Sequence, residues 1–447
     1  MRLRHVVTCF LVDPASGRVL LGRRSDRVST YPGRWAAISG SVEDATPLAQ
    51  ARREIAEETG LRPEHLRLVA EGVPLRFAAW ELGTVWAVHP FLFHCLRPEA
   101  ARPDWEHVQF EWVETADIAS LQTVPRLAEA LAAVRGFEGR PSPDRVFAEV
   151  RGDRDRGADA LGLLVLEAIR AAAPAEGRTT GEEWLQRMQE VCREAAGLRP
   201  SMASVRSAAL EAFGACRKAL EDSPGDPART AAGAIDGIIA ERERASLEAA
   251  AASAAMIEPG ARVTTLSFSS TVLMALRDAA ERVAELVVAE SRPRCEGRET
   301  ARLAASFGIP TRLVTDAAAA EAVAGTDLVL FGADSVTGRG DVANKTGTLA
   351  LCLAARHFGV RTLCVSTPSK VLPEGWEPAR EQMDPAELGE QIEGVEAENP
   401  YFETVPADLI DVLTIGPGIA GARLEERSRL LASLQRHLAV GAPIVLE

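Results

Sequence analysis

Residues 327–351 read DLVLFGADSVTGRGDVANKTGTLAL, and the fold class of most of the chain turns on them. The run DLVLF is short and apolar, which predicts a buried strand. A Gly- and Asp-rich connection follows, and TGTLALCLAARHF then takes up a helical period over roughly 346–358. Outward from this unit the same alternation recurs. VTTLSFS, ELVVAES and TRLVTD upstream, and RTLCVST downstream, are further short apolar runs separated by helical or loop segments. Strand and helix repeated in this way predict a parallel, doubly wound sheet over residues 256–447, with ligands bound outside the carboxyl ends of its strands.

Farther upstream the texture changes twice. Residues 146–255 are Ala-rich with helical periodicity and predict an all-α subdomain, and a linker rich in Gly, Pro and charge is expected over 136–145. Residues 1–135 alternate β patterns (VVTCFLVD, RVLLGRR, VWAVHPFLFHCL) with one strong helix, PLAQARREIAEETG, that stops at Gly60 as a C-cap. The expectation is an α/β, multidomain chain, in keeping with its 447 residues.

Composition narrows the function. The chain carries 64 acidic against 50 basic residues, a net charge of −14, which speaks against nucleic acid and anionic membranes as partners. No apolar run reaches the roughly 20 residues of a membrane span. Seven cysteines lie scattered with no CxxC pair, which fits reduced thiols in a cytoplasm. The seven histidines show no metal-binding spacing and read as structural. Lysine occurs only at 218, 345 and 370 against 47 arginines, and asparagine only at 344 and 399. Where such rare residues survive side by side, as Asn344 and Lys345 do, a specific role is expected.

Glu54, Glu57 and Glu58 share one helical face at spacings i, i+3 and i+4. Three like charges so placed repel. A hard divalent cation holding a pyrophosphate would relieve that repulsion, and a solvated acidic face near a helix end is the plainer alternative. The surrounding GSVEDATPLAQARREIAEETGL (40–61) resembles the Nudix box, with Gly40 at its head and Arg53, Glu54, Ile55, Glu57, Glu58, Gly60 and Leu61 matching. GRWAAISGSVE resembles the strand and loop that lead into the box, and DWEHVQFEWVE the late acidic segment that adds a ligand, here Glu106. The segment departs from the pattern in a loop one residue short and in Ala45, which stands where the family's first Glu would be. The resemblance implies an α/β/α sandwich that hydrolyses a nucleoside diphosphate linked to another group, such as an ADP-sugar, with Mg²⁺ or Mn²⁺. It further implies Glu54, Glu57, Glu58 and Glu106 as metal ligands, with Glu54 also helping to activate water.

In the other half, Asp334 stands at a strand end facing the predicted crevice, and Asn344 and Lys345 follow where the helix is expected to open. A lysine with helix N-terminal amides suits phosphate, and an Asp beside a sugar can move a proton. GAD…NKTGT, ESRPRCEGRETA, TTLSFSSTVL and NPYFETVPADLI, with RGADALG and LRPSMASVR in the helical part, resemble one known family. It joins the alpha, beta and delta subunits of translation initiation factor 2B to ribose-1,5-bisphosphate isomerase and methylthioribose-1-phosphate isomerase. The resemblance covers residues 146–447 and implies a Rossmann-like sheet holding a sugar phosphate or nucleotide. The implied binding residues are Arg156, Gly157, Ala158 and Arg199, then Ser269, Ser270 and Thr271, then Asn344, Lys345 and Lys370. Asp334 matches the Asp that returns a proton.

The family's proton-abstracting Cys is replaced by Ser267. A thiol can be tuned into a thiolate base, whereas a serine hydroxyl is far too weak an acid to serve unaided. Cys295, in RPRCEG, is an alternative thiol from the neighbouring loop. Three outcomes stay open for this half: a binding domain with little chemistry, an active ribose-1,5-bisphosphate isomerase of nucleotide salvage, or a regulatory module like the initiation-factor subunits. Self-association as a dimer or hexamer is expected through apolar segments such as LIDVLTIGPGIA.

Overall fold

The computed structural model describes residues 1–43, 46–174, 180–379, 381–390, 392–416, 418–420 and 424–439, so Ala45 lies outside the described residues. The chain forms two compact units, Met1–Ser142 and Pro143–Glu447.

In the first unit the elements are β1 (Arg2–Val12), β2 (Val19–Arg24), β3 (Trp35–Ala36), β4 (Ile38–Ser41), α1 (Pro47–Thr59), β5 (Leu66–Glu71), β6 (Leu75–Ala79), β7 (Thr84–Cys95), β8 (His107–Val113) and α2 (Leu127–Ala132). β1 and β7 run parallel at the centre, and every other pairing in this sheet is antiparallel. Alternation along β1 makes both faces apolar. Val7, Cys9 and Leu11 pack with Ala51 and Ile55 of α1, while Phe10 packs with Leu127, Ala130 and Leu131 of α2. The result is the α/β/α sandwich. α1 starts at Thr46, whose side chain caps the amide of Ala49, and ends at Gly60 with φ 69, a left-handed position that favours glycine.

The second unit opens with five helices, α3 (Pro143–Gly152), α4 (Ala158–Ala172), α5 (Gly181–Ala196), α6 (Ala203–Asp222) and α7 (Pro227–Ala255). Pro143 already begins α3 inside the stretch expected as linker, because proline suits the first helical turn. The alternating part follows as β9 (Ala261–Leu266), α8 (Ser270–Asp278), β10 (Val283–Ala289), α9 (Gly297–Ser306), β11 (Thr311–Val314), α10 (Asp316–Val323) and β12 (Leu328–Gly332). Next come β13 (Ser335–Val336), β14 (Val342–Lys345), α11 (Thr348–Phe358), β15 (Arg361–Ser366), β16 (Phe402–Val405), β17 (Val412–Ile415), β18 (Gly418–Ala420) and α12 (Leu424–Ala439).

The large sheet has the order β11-β10-β9-β12-β15-β17-β18, parallel except for the edge strand β18. From β9 the chain winds outward one way through β10 and β11, and from β12 the other way. The switch point therefore lies between β9 and β12, where an open α/β sheet binds its ligand. These two strands pair at Val263–Leu328 and Thr264–Val329 only, which leaves their carboxyl ends free to frame a crevice. A small antiparallel sheet, β13-β14-β16, stands beside that end. Among the described residues no helix is long and apolar enough to cross a membrane.

Candidate functional site

The first candidate site is a cleft of about 500 Å³ in the first unit, lined among others by Gly40, Glu54, Glu57 and Glu106. α1 carries the glutamates to the cleft, and β4 must pass close to them. A Cβ on Gly40 would lie 1.9 Å from Glu54 Oε1, so any larger residue would push the Glu54 carboxylate aside. Glu54 Oε1 accepts a hydrogen bond from Gln50 Nε2 at 2.6 Å. Burial, with Glu57 and Glu106 nearby, pushes its carboxyl above the usual range.

Glu58 sits behind this group and is 2% exposed. Burial first, then the charges of Glu106 and Glu54, push it up to about 9. Its Oε1 accepts from the Ser39 amide at 3.2 Å, while Oε2 is buried without a hydrogen bond. Glu106 is raised likewise, by burial and then by Asp104.

The expected carboxylates are thus drawn together as mutually repelling oxygen donors with one buried oxygen unpartnered, and that chemistry fits a hard cation. As placed, no three His, Cys, Asp or Glu side chains among the described residues form a finished metal cage. Arg4, Arg24, Arg53 and Arg126 line the same cleft, as do Tyr31, Phe77 and Trp86. The motif reading missed most of these, because arginines are plentiful in this chain and nothing local marks the four that face the cleft.

The second candidate site is the crevice at the switch point. Ser267 follows β9, Asp334 follows β12, and Lys370 follows β15, all at carboxyl ends of the parallel strands. Asp334 is partly buried, and burial pushes its carboxyl up against the opposing pull of Lys370, Lys345 and Arg199. Those four residues, predicted from scattered motifs, therefore stand within electrostatic reach of one another.

Asn344 and Lys345 do not open a helix as expected. They end β14, paired with Glu403 and Phe402 of β16, and α11 begins only after Gly347, whose φ of 107 makes the turn. Asn344 donates to Thr348 Oγ1 at 2.9 Å. Ser269 caps α8, accepting from the Val272 amide at 3.4 Å, and it lies against Gly332. Thr271 is buried beneath the helix start and Ser270 is exposed. Gly157 precedes α4 as its N-cap, and Ala158 is its buried first residue.

The cations expected to hold phosphate are each already paired. Lys370 Nζ lies 3.1 Å from Asp159 Oδ2, Lys345 Nζ 2.7 Å from Glu296 Oε1, Arg199 Nε 3.3 Å from Glu381 Oε1, and Arg156 Nη1 2.6 Å from Glu149 Oε1. Ser201 Oγ also donates to Glu381 at 2.5 Å.

Asp159 is held further by Ser369 Oγ at 2.6 Å and Thr367 Oγ1 at 2.9 Å. Burial alone would raise it, but Lys370 and these hydroxyls hold it below the usual carboxylate range. Asp159 lies inside the quoted RGADALG, so its place was visible and its role was not. Glu296 lies in the same way inside the quoted ESRPRCEGRETA, whereas Glu381 carries no local signal in a chain so rich in acids.

Ser267 is buried with φ 57; its amide donates to Ser291 Oγ at 2.7 Å and its carbonyl accepts from Thr300 Oγ1 at 2.6 Å. Cys295 is half-buried on the loop after β10, with its Sγ 3.7 Å from the Pro293 carbonyl.

Comparison with known proteins matches each unit to a family. Residues 2–134 match the NUDIX domain, and residues 149–419 match the initiation factor 2 subunit family. The methylthioribose-1-phosphate isomerase of Stenotrophomonas maltophilia is 31% identical over 304 residues, covering 62% of this chain and 83% of that protein. The ribose 1,5-bisphosphate isomerase of Pyrococcus furiosus is 28% identical over 277 residues, covering 59% and 86%. Among solved structures, the translation initiation factor eIF-2B of Pyrococcus horikoshii shares 25% identity at a TM-score of 0.53, covering 62% of this chain and 96% of that one. With an isomerase-like crevice set on a matching fold, the chain belongs to the initiation factor 2 subunit family and carries a NUDIX domain ahead of it.

Proposed function

We propose that the first unit hydrolyses a nucleoside diphosphate linked to another group, with an ADP-sugar as the type substrate. The observation that carries this is the convergence of Glu54, Glu57 and Glu106 on one cleft with Glu58 buried behind them. Glu54, Glu57, Glu58 and Glu106 would hold Mg²⁺ or Mn²⁺. When bound, the cation supplies Lewis-acid polarisation of the diphosphate and a more acidic water. Glu54, oriented by Gln50, suits proton acceptance from the attacking water. Arg24, Arg53 and Arg126 offer forked donors to diphosphate oxygens. The test is hydrolysis of ADP-ribose, followed by phosphorus NMR with and without Mg²⁺. Glu57→Gln and Glu58→Gln should each abolish most of it; undiminished turnover in both variants, or none in the wild type across a broad diphosphate panel, sinks the reading.

The second unit, on this proposal, binds a phosphorylated ribose or nucleotide and isomerises ribose 1,5-bisphosphate slowly or not at all. Arg156, Arg199, Asn344, Lys345 and Lys370 supply the contacts, and Ser267 lacks the acidity to become the base. A second reading, an active isomerase, draws support from Asp334, whose carboxyl is held above the usual range within electrostatic reach of Lys370 and Lys345, as a proton carrier's would be. An oligomer in solution, a dimer or hexamer, belongs to both readings.

A further inference from the structure

We propose that His107 is a positioning residue that ties Glu58 to Glu106 and so sets the cation-binding geometry of the first unit, a role that rests on the hydrolase reading above. The turn 104–107 sends its last two side chains in opposite directions. Glu106 lines the cleft, whereas His107 is 4% exposed. The His107 ring lies over β2, where a Cβ on Gly22 would sit 2.2 Å from its Cδ2, and its centroid is 5.2 Å from that of Phe110.

There His107 Nδ1 faces Glu58 Oε2 at 3.5 Å and Asp104 Oδ1 at 3.7 Å. Neither ring nitrogen nor Glu58 Oε2 has a hydrogen bond among the described residues. Asp104 Oδ1 in turn accepts the Glu106 amide at 2.9 Å. One small cluster therefore touches Glu58, from α1, and the backbone amide of Glu106, in the turn just before β8.

Packing alone gives no reason for an imidazole at this place. A phenyl ring would fill the same space without burying two unpartnered nitrogens, each of which costs free energy. A donor for the outer side of a metal-binding carboxylate does give a reason, since such partners fix the carboxylate's orientation. The gap is small: a slight turn of the ring or of the carboxylate brings the 3.5 Å separation of Nδ1 and Oε2 to hydrogen-bond distance.

The test is Mn²⁺ affinity of the full chain, read by electron paramagnetic resonance and by calorimetry, for the wild type, His107→Phe, His107→Asn and His107→Gln. Losing such an outer partner typically costs about 10–100-fold in metal affinity. His107→Phe should show that loss while keeping its melting temperature, and His107→Asn, which places an amide donor near the Nδ1 position, should recover most of the affinity. A packing role predicts the reverse ranking, with Phe tolerated and Asn not. If Phe binds Mn²⁺ as the wild type does, the inference is wrong. If Phe does not fold, His107→Gln, whose amide lies near the Nε2 position instead, should lose affinity where His107→Asn keeps it, and equal affinities in these two variants also overturn the inference. A wild type that takes up no Mn²⁺ fails the hydrolase reading itself, and this role with it.

Discussion

At Ser267 the backbone is pinned on both sides, its amide by Ser291 and its carbonyl by Thr300, which holds this buried residue at the carboxyl end of β9. Proton abstraction from carbon needs a base, and general acid–base groups contribute about 10²–10⁴-fold. Ser267→Cys should therefore raise ribose 1,5-bisphosphate isomerisation by up to that factor in a coupled assay, and no rise would count against the role given to this position. Asp334 yields a pH prediction. Its folded pKa lies above its unfolded value, so it destabilises the fold as pH climbs through that interval. Asp334→Asn should melt higher than the wild type at about pH 8, with the gap closing near pH 4. Equal melting curves at both values would contradict the burial argument. The rare residues Asn344, Lys345 and Lys370 were legible in sequence because the composition made them conspicuous. The roles of the lysines' counter-charges, Asp159 for Lys370 and Glu296 for Lys345, were not, since pairing among abundant acids is settled only by tertiary structure.

Single elements carry the next constraints. β4 must bring Gly40 against Glu54, and the helix face that holds Glu54, Glu57 and Glu58 depends on that approach. Gly40→Ala should lower hydrolysis at least tenfold by displacing Glu54, a loss to be read as kcat against metal concentration. A wild-type rate would show the contact to be slack. In the crevice, the segment from β15 to β16 places Glu381 on Arg199 and Ser201, where a ligand phosphate would compete with it. Glu381→Gln should tighten binding of ribose 5-phosphate several-fold by calorimetry, and weaker binding would mean that Glu381 instead orders the arginine. The main strands of both large sheets and α1 were readable from their period, and the end of α1 from its cap at Gly60. The place of Asn344 and Lys345 was misjudged because β14 is only four residues long and takes its identity from pairing with β16 rather than from its own pattern.

On the scale of the whole chain, two compact units match two different families. The doubly wound order and its switch point follow from the alternation seen in the sequence, because parallel strands need helical crossovers and these can be arranged in few ways. What alternation cannot specify is the electrostatic state of the crevice, which here has each expected phosphate ligand balanced by a carboxylate. The central claim is that the chain cleaves a diphosphate in its first unit while holding, without rapidly converting, a sugar phosphate in its second. A single phosphorus NMR time course, with Mg²⁺, ADP-ribose and ribose 1,5-bisphosphate in one tube, tests it most directly. The account predicts that the diphosphate signals give way to monophosphate signals while those of ribose 1,5-bisphosphate persist. Persistent diphosphate, or brisk loss of the bisphosphate, would contradict it.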